Sequence, residues 1–277
     1  MSVENAILLG LMQGITEFLP VSSSGHLSIL SNLFGLTTPE DGHLFFDVLL
    51  HCGTLLALLL VYWKEFRSMG VETLALMGLG PEGQLVRRHR PGARLLMMLL
   101  IGTLPLALVL PIRVPVRALV DHSIFIGLAL ILSGCLLYVA DRMRPGDKTV
   151  AGMTLLDALL IGLCQCVAVI PGLSRPGTTL TAGIAVGLDR RFAVKFSLLL
   201  SVPAVLAANL LRLFEALRAG VDWSCLPAYL IGAAAAMISG VGAIYLLQAV
   251  AKRGKFGGFA YYCWVLGALS IILTMIF

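Results

Sequence analysis

Charge is what this chain has least of. Only 13% of its 277 residues are Asp, Glu, Lys or Arg, while 58% are apolar. So little polar material cannot coat a water-soluble globule of this size, and the balance places the chain among membrane proteins. Other absences narrow the field. The six cysteines (Cys52, Cys135, Cys164, Cys166, Cys225 and Cys263) form no CxxC pair and lie mostly in apolar segments. They read as small packing residues, not as a metal site or a disulfide framework. No Gly-Lys-Ser/Thr loop occurs, so nucleotide hydrolysis has no motif to rest on. The N-terminus has no basic region, and Glu4 stands where one would be, so no cleavable signal is expected. The net charge of +5 then reads as loop charge beside lipid head groups, with no nucleic-acid partner expected.

What is present is apolar length. A bilayer takes roughly 20 apolar residues of helix to cross. Six stretches approach or reach that: Asp47 to Trp63, Leu95 to Leu110, Ile124 to Ala140, Phe196 to Leu211, Tyr229 to Val250 and Phe259 to Phe277.

Two polar passages interrupt this background. The first is Gln13-Gly-Ile-Thr-Glu17-Phe-Leu-Pro20-Val-Ser22-Ser23-Ser24-Gly25-His26. The second is Gln165-Cys-Val-Ala-Val-Ile-Pro171-Gly172-Leu-Ser174-Arg175-Pro176-Gly177-Thr178-Thr179. Polar and ionisable groups inside a membrane are costly and mark working sites. The passages also reveal a repeat. A shift of 152 places Ala6, Leu8, Gly10, Leu11 and Gln13 on Ala158, Leu160, Gly162, Leu163 and Gln165. A shift of 150 places Phe46, Leu49, Leu50, Leu56 and Ala57 on Phe196, Leu199, Leu200, Leu206 and Ala207. Leu and Ala coincidences are cheap here; Gly-x-x-Gln followed by Pro, Ser and Gly is not. The sequence therefore predicts one membrane domain over 1–277, built of repeats of about 1–143 and 150–277, with the polar Asp141–Lys148 linker as seam.

Each half predicts one interrupted segment and three spans. The apolar stretch before Glu17 is too short to cross, and Pro20 with the serines stops it before a second short helix, about Ser23 to Phe34. The same pattern recurs as Leu155 to Ile170, a Pro171–Gly177 turn, and Thr178 to Gly187. Short helix, turn and short helix predict a re-entrant hairpin. The predicted class is an all-α integral membrane protein of six transmembrane helices and two re-entrant hairpins in two inverted repeats. Under that layout one face collects fifteen of the twenty basic residues, from Lys64 and Arg67 through Arg142, Arg144, Lys148, Arg190, Arg191 and Lys195 to Lys252, Arg253 and Lys255. The other face holds Arg113, Arg117, Arg212 and Arg218, and Arg175 lies in a turn. The positive-inside rule makes the first face cytoplasmic and both termini external. The hairpin tips then enter from opposite sides and can meet near the midplane.

Each tip precedes a helix rich in small and hydroxylated residues, so both are anion sites by their free N–H groups and dipole ends. Arg175 adds a planar fork for phosphate oxygens. The pocket is expected to take a phosphate, more so a diphosphate, or a carboxylate. Gln13 and Glu17 share a helix face; Ser23 and His26 are three apart and can approach each other. A hydroxyl, an imidazole, a carboxylate and a guanidinium together suit phosphoryl transfer. Glu17 with Gln13 can hold a divalent cation through oxygen, or Glu17 can act as a base. Plainer roles compete. Ser22 and Ser24 suit backbone capping as well as ligand binding, and Asp47 with His51 suits a structural pair as well as a supporting one. His43, His89 and His122 are expected in solvated loops. Small residues from Gly232 to Gly242 suit close helix packing or a homodimer face.

Gln13–His26 and Pro-Gly-x-Ser-Arg-x-Gly-x-Thr at Pro171–Thr179 together resemble the undecaprenyl-diphosphate phosphatase family of the bacitracin-resistance type. The resemblance implies a multi-pass protein of the bacterial plasma membrane that takes undecaprenyl diphosphate to the monophosphate carrier lipid of cell-wall synthesis. It implies Glu17 as the acidic residue of the first motif, Ser23 as proposed nucleophile and His26 as motif histidine. Arg175 is the second motif's arginine, beside Ser174 and Thr178 or Thr179, with Ser22, Ser24, Gly25, Gly172 and Gly177 around the substrate. It further implies Mg²⁺ or Ca²⁺, for which Glu17 is the carboxylate ligand because the chain carries Gln13 where the family allows Glu. Pro176 replaces the usual second Ser of Ser-Arg-Ser-Gly. Another lipid phosphatase class uses Ser-Gly-His and a later histidine, but this chain has none after His122. A lipid-phosphate flippase uses the same inverted-repeat parts. The Glu17–Ser23–His26 group speaks for the enzyme, since a carrier needs no nucleophile.

Overall fold

The computed structural model describes residues 1–34, 43–78, 90–112, 123–144 and 146–276. Arg87, Arg88, His89, Arg113, Arg117 and His122 lie outside them. The described chain is helical: α1 (Val3–Phe18), α2 (Ser23–Phe34), α3 (Leu44–Val61), α4 (Trp63–Leu76), α5 (Pro91–Thr103), α6 (Ser123–Arg142), α7 (Leu155–Val167), α8 (Arg175–Ala185), α9 (Arg190–Ala219), α10 (Leu226–Arg253) and α11 (Gly257–Ile276). Its extended pairing is a single bridge between Lys148 and Leu188. Six helical stretches are long and apolar enough to cross a membrane: Leu44–Val61, Pro91–Val109, Ser123–Arg142, Arg190–Ala219, Trp223–Arg253 and Gly257–Ile276. They match the six predicted stretches; all six begin earlier than predicted, and three also end later.

Two local departures have plain causes. The second stretch is not one α-helix. Pro105 has no N–H and its ring crowds the carbonyl of Ile101, so α5 ends at Thr103 and continues as a 3₁₀ helix, Leu104–Ile112. The other departure is α4, which hydropathy did not reveal because it is short and charged. It is anchored by its polar side: Glu72 accepts from the backbone N–H groups of Gly92 and Ala93 at the start of α5, and from Ser68. Its apolar Trp63, Leu74 and Leu76 are exposed.

Side-chain contacts sort the connections into two ends of the bundle. At one end Met1 reaches Cys225, His43 Nδ1 lies 2.6 Å from the Tyr229 hydroxyl, and Phe45 packs on Trp223. His43 is therefore tied to α10, not solvated as expected. At the other end Arg94 donates to the carbonyls of Val150 and Met153, Lys195 pairs with Glu65, and Lys148 pairs with Asp157. Arg190 there donates to the carbonyls of Asp141, Met143 and Gly254. The Asp141–Lys148 linker is thus a pinned seam.

Helix contacts repeat across that seam. α1 lies on α10, and α7 lies on α5; α6 packs on α11, and α3 on α9. Glycine makes the tightest crossings possible. A side chain at Gly10 would collide with the Gly232 carbonyl, and one at Gly162 with the Gly102 carbonyl. Gly127 and Gly267 meet in the same way between α6 and α11. Part of the small-residue stripe of α10 is used within the chain: Gly232 meets Phe46 and Ala6, and Gly240 meets Phe18 and Ala57, while Gly242 faces outward. The homodimer expectation loses part of the feature that motivated it.

Candidate functional site

The two polar passages come together. The end of α1 carries Glu17, the turn after it carries Pro20 and Ser22, and α2 begins at Ser23. Ser22 is the one non-glycine residue among those described with positive φ, at 69°. That conformation costs an L-residue about 1 kcal/mol or more. It turns the Ser22 side chain and carbonyl back onto the new helix. The hydroxyl accepts from Gly25 N–H, and the carbonyl takes the His26 N–H at 3.3 Å. The second tip is built differently. Gly172 takes φ 85°, Ser174 caps α8 by accepting from Gly177 N–H, and Pro176 sits in the first turn, where its missing N–H costs nothing.

Contact between the tips is direct. Gly172 N–H donates to Ser24 Oγ at 3.2 Å. Arg175 Nη1 lies 3.8 Å from Glu17 Oε1. Glu17 is the hub: its Oε2 accepts from Ser23 Oγ at 2.8 Å and from Gln13 Nε2 at 3.0 Å. Two atoms beside it are buried without a hydrogen bond, Arg175 Nη1 and Gln13 Oε1. Buried polar atoms are normally satisfied, so an unpaired donor and an unpaired acceptor flanking one carboxylate point to a bound group.

His26 is not where the spacing suggested. Ser23 donates to Glu17, while His26 places Nδ1 2.7 Å from the Ser22 carbonyl and Nε2 2.7 Å from the hydroxyl of Tyr262 on α11. Ser23 and His26 are neighbours on α2 with different partners. The threonines of the second tip are also engaged. Thr178 donates to the Ser174 carbonyl, and Thr179 to the Arg175 carbonyl, with Ser197 2.5 Å away. Their hydroxyl protons hold α8 against itself, and the Thr179–Ser197 contact ties it to α9. Arg175 is the group that reaches across.

A polar chain runs on behind Gln13. Its Nε2 also stands 3.4 Å from His51 Nε2, and His51 Nδ1 lies 2.9 Å from the Asp47 carbonyl. Asp47 in turn meets Arg212 at 3.0 Å, and Asn209 donates to the Val48 carbonyl. Asp47 and His51 thus support Gln13. Asn209 and Tyr262 went unnoticed in the sequence, and Arg212 reads there only as a charge of the external face. The polar pair Asn209 and Arg212 inside an apolar run was the available signal for two of them; nothing marked Tyr262.

A divalent cation fits this donor set in part. Glu17 and the unpaired Gln13 Oε1 are hard oxygen donors of the type Mg²⁺ and Ca²⁺ prefer. Among the described residues no cluster of three or more His, Cys, Asp and Glu exists. Further ligands therefore have to come from substrate and water.

A six-span helical membrane protein with a carboxylate–serine–arginine site at touching hairpin-like turns is the class these features define. Comparison with known proteins gives the family. Residues 6–269 match the family model described as Bacitracin resistance protein BacA. An undecaprenyl-diphosphatase of Desulforapulum autotrophicum is 39% identical over 276 residues, covering 98% of each chain. Proteins of the same name from Syntrophotalea carbinolica and Methanosphaera stadtmanae are 38% and 34% identical, over 99% and 100% of this chain and 100% and 99% of theirs. The chain belongs to the BacA family.

Proposed function

We propose that this protein is a membrane phosphatase that converts undecaprenyl diphosphate to undecaprenyl phosphate and phosphate, returning the carrier lipid to cell-wall synthesis. One observation carries the reading beyond the family: Glu17 binds the Ser23 hydroxyl and faces Arg175 from the other tip. Ser23 is the nucleophile and Glu17 its base. Ser23 Oγ attacks the terminal phosphorus as Glu17 takes its proton. The bond from that phosphorus to the bridging oxygen breaks, and undecaprenyl phosphate leaves with the electron pair. Water then cleaves the phosphoserine. Arg175 holds the transferring oxygens, where a pre-placed cation lowers the barrier. The first-turn amides of α2 that Ser22 does not cap, those of Ser23 and Ser24, bind the same group. Gln13 and Glu17 would hold Mg²⁺ or Ca²⁺, which supplies charge neutralisation at the diphosphate.

The two-ended contact pattern supports hairpins that re-enter from opposite sides. The contacts of Met1 and His43 put the start of α1 and the start of α3 at one end. The contacts of Arg94 and the Lys148–Leu188 bridge put the start of α7 and the end of α8 at the other. The paired Gly10–Gly232 and Gly162–Gly102 crossings support inverted repeats. Basic residues at the second end support a cytoplasmic assignment there, with both termini outside, in a plasma membrane. An N-terminal tag that outside reagents cannot reach in intact cells would overturn that orientation.

The deciding experiment is phosphate release from a polyprenyl diphosphate by purified protein in detergent with Mg²⁺ or Ca²⁺. Release by the wild type and its loss in Ser23→Ala support the enzyme. No release, with lipid movement in vesicles, would support a flippase instead.

A further inference from the structure

We propose that Tyr262 is a positioning residue of the phosphatase site, closing the second nitrogen of His26 and holding its ring; this rests on the phosphatase reading above. Ser22 sets the tautomer. Its carbonyl can only accept, and it lies 2.7 Å from His26 Nδ1, so Nδ1 carries a proton. In a neutral imidazole the lone pair is then on Nε2. Tyr262 Oη stands 2.7 Å from that atom, and the two ring planes are within 7° of parallel. An sp² nitrogen lone pair lies in the ring plane, so the tyrosine hydroxyl donates into it. His26 is 5% exposed, and both of its nitrogens are satisfied within the protein.

This arrangement accommodates either protonation state. When His26 gains a proton at Nε2, the Tyr262 hydroxyl rotates and accepts, while the Ser22 carbonyl still accepts from Nδ1–H. His26 therefore holds or gives up a proton without moving its ring. The device links α11 to the first tip, and Cys263 strengthens the link by donating to the Pro20 carbonyl. Tyr262 itself is half exposed, on the wall of an apolar groove of about 510 Å³ that runs between Ile15, Leu19 and Phe259 to Lys255.

Tyr262→Phe removes the hydroxyl and keeps the ring. Phosphate release from a polyprenyl diphosphate should show kcat lowered on the order of 10-fold to 100-fold with KM little changed. Added to His26→Ala, the substitution should cost nothing further. An unchanged kcat in Tyr262→Phe, or full multiplicative loss in the double variant, overturns the proposal. So does a lowered unfolding temperature that accounts for the lost activity. ¹⁵N-histidine NMR separates this proposal from the phosphatase reading, because it needs no turnover. The His26 signal, identified by its loss in His26→Ala, should report the Nδ1–H form in the wild type, with the Nε2 resonance displaced in Tyr262→Phe as its hydrogen bond is lost. An Nε2–H form in the wild type overturns the proposal even if phosphate is released; a wild type that releases none sinks the phosphatase reading while the tautomer is still read.

Discussion

The two tips share a vocabulary and use it differently. In the first, Gln13, Glu17 and Ser23 turn toward one another and leave an acceptor of Gln13 unpaired. In the second, the hydroxyls of Ser174, Thr178 and Thr179 serve the backbone of their own helix, and one guanidinium projects. Both turns lead into helix N-termini. On the proposed function, the first is the reacting half and the second a mount for Arg175. A serine or threonine in a motif is thus no evidence of ligand contact until its hydrogen-bond partner is known.

The sharpest way to break this comparison is to remove the groups that face across it. Glu17→Gln and Arg175→Ala should each lower kcat/KM for phosphate release about 10²- to 10⁴-fold, with Arg175→Lys failing to restore it. Retained activity in either variant would dissolve the division between the tips.

Fold-level equivalence makes the next prediction. Gly10→Leu and Gly162→Leu place side chains into carbonyls of the crossing helix, so both should abolish a folded, monodisperse detergent preparation. If one is tolerated, the two crossings are not equivalent.

The mount itself should respond mildly. Thr179→Val loses the bonds to the Arg175 carbonyl and to Ser197. It should cost about 1 kcal/mol in stability, read by thermal unfolding, with activity changed less than about threefold. A large activity loss at full stability would return Thr179 to the substrate.

The smallest effect concerns the seam that carries the second tip. Burial raises the pKa of Asp157, but the Thr154 N–H and the Lys148 ammonium outweigh it and hold the carboxyl below its ordinary value. A lowered folded-state pKa gives stability that is fully present above about pH 4 and lost as pH falls through the folded value. Asp157→Asn should be less stable at neutral pH and should flatten that acid slope in pH-dependent unfolding. An unchanged slope would remove Asp157 from the seam.

Much of this was legible in the chain. Six apolar runs announced six helices, because length and hydropathy are nearly sufficient inside a bilayer. The polar passages announced the site, because Glu17 and Arg175 are too costly to be idle there. Three things were hidden. Helix α4 is charged and short, so apolar length could not reveal it. Partners 236 residues apart, such as His26 and Tyr262, depend on which face of α11 meets the first tip. The choice of Glu17 over His26 as partner of Ser23 depends on the positive φ of Ser22, which no local pattern specified.

The central claim is that two tips form one reaction site. A double-mutant cycle on kcat/KM for phosphate release, using Glu17→Gln and Arg175→Ala, tests it most directly. Groups acting as a unit on one phosphoryl transfer are strongly non-additive, so the double variant should be little worse than the poorer single one. Losses that simply multiply would show two independent contributions and contradict a shared site.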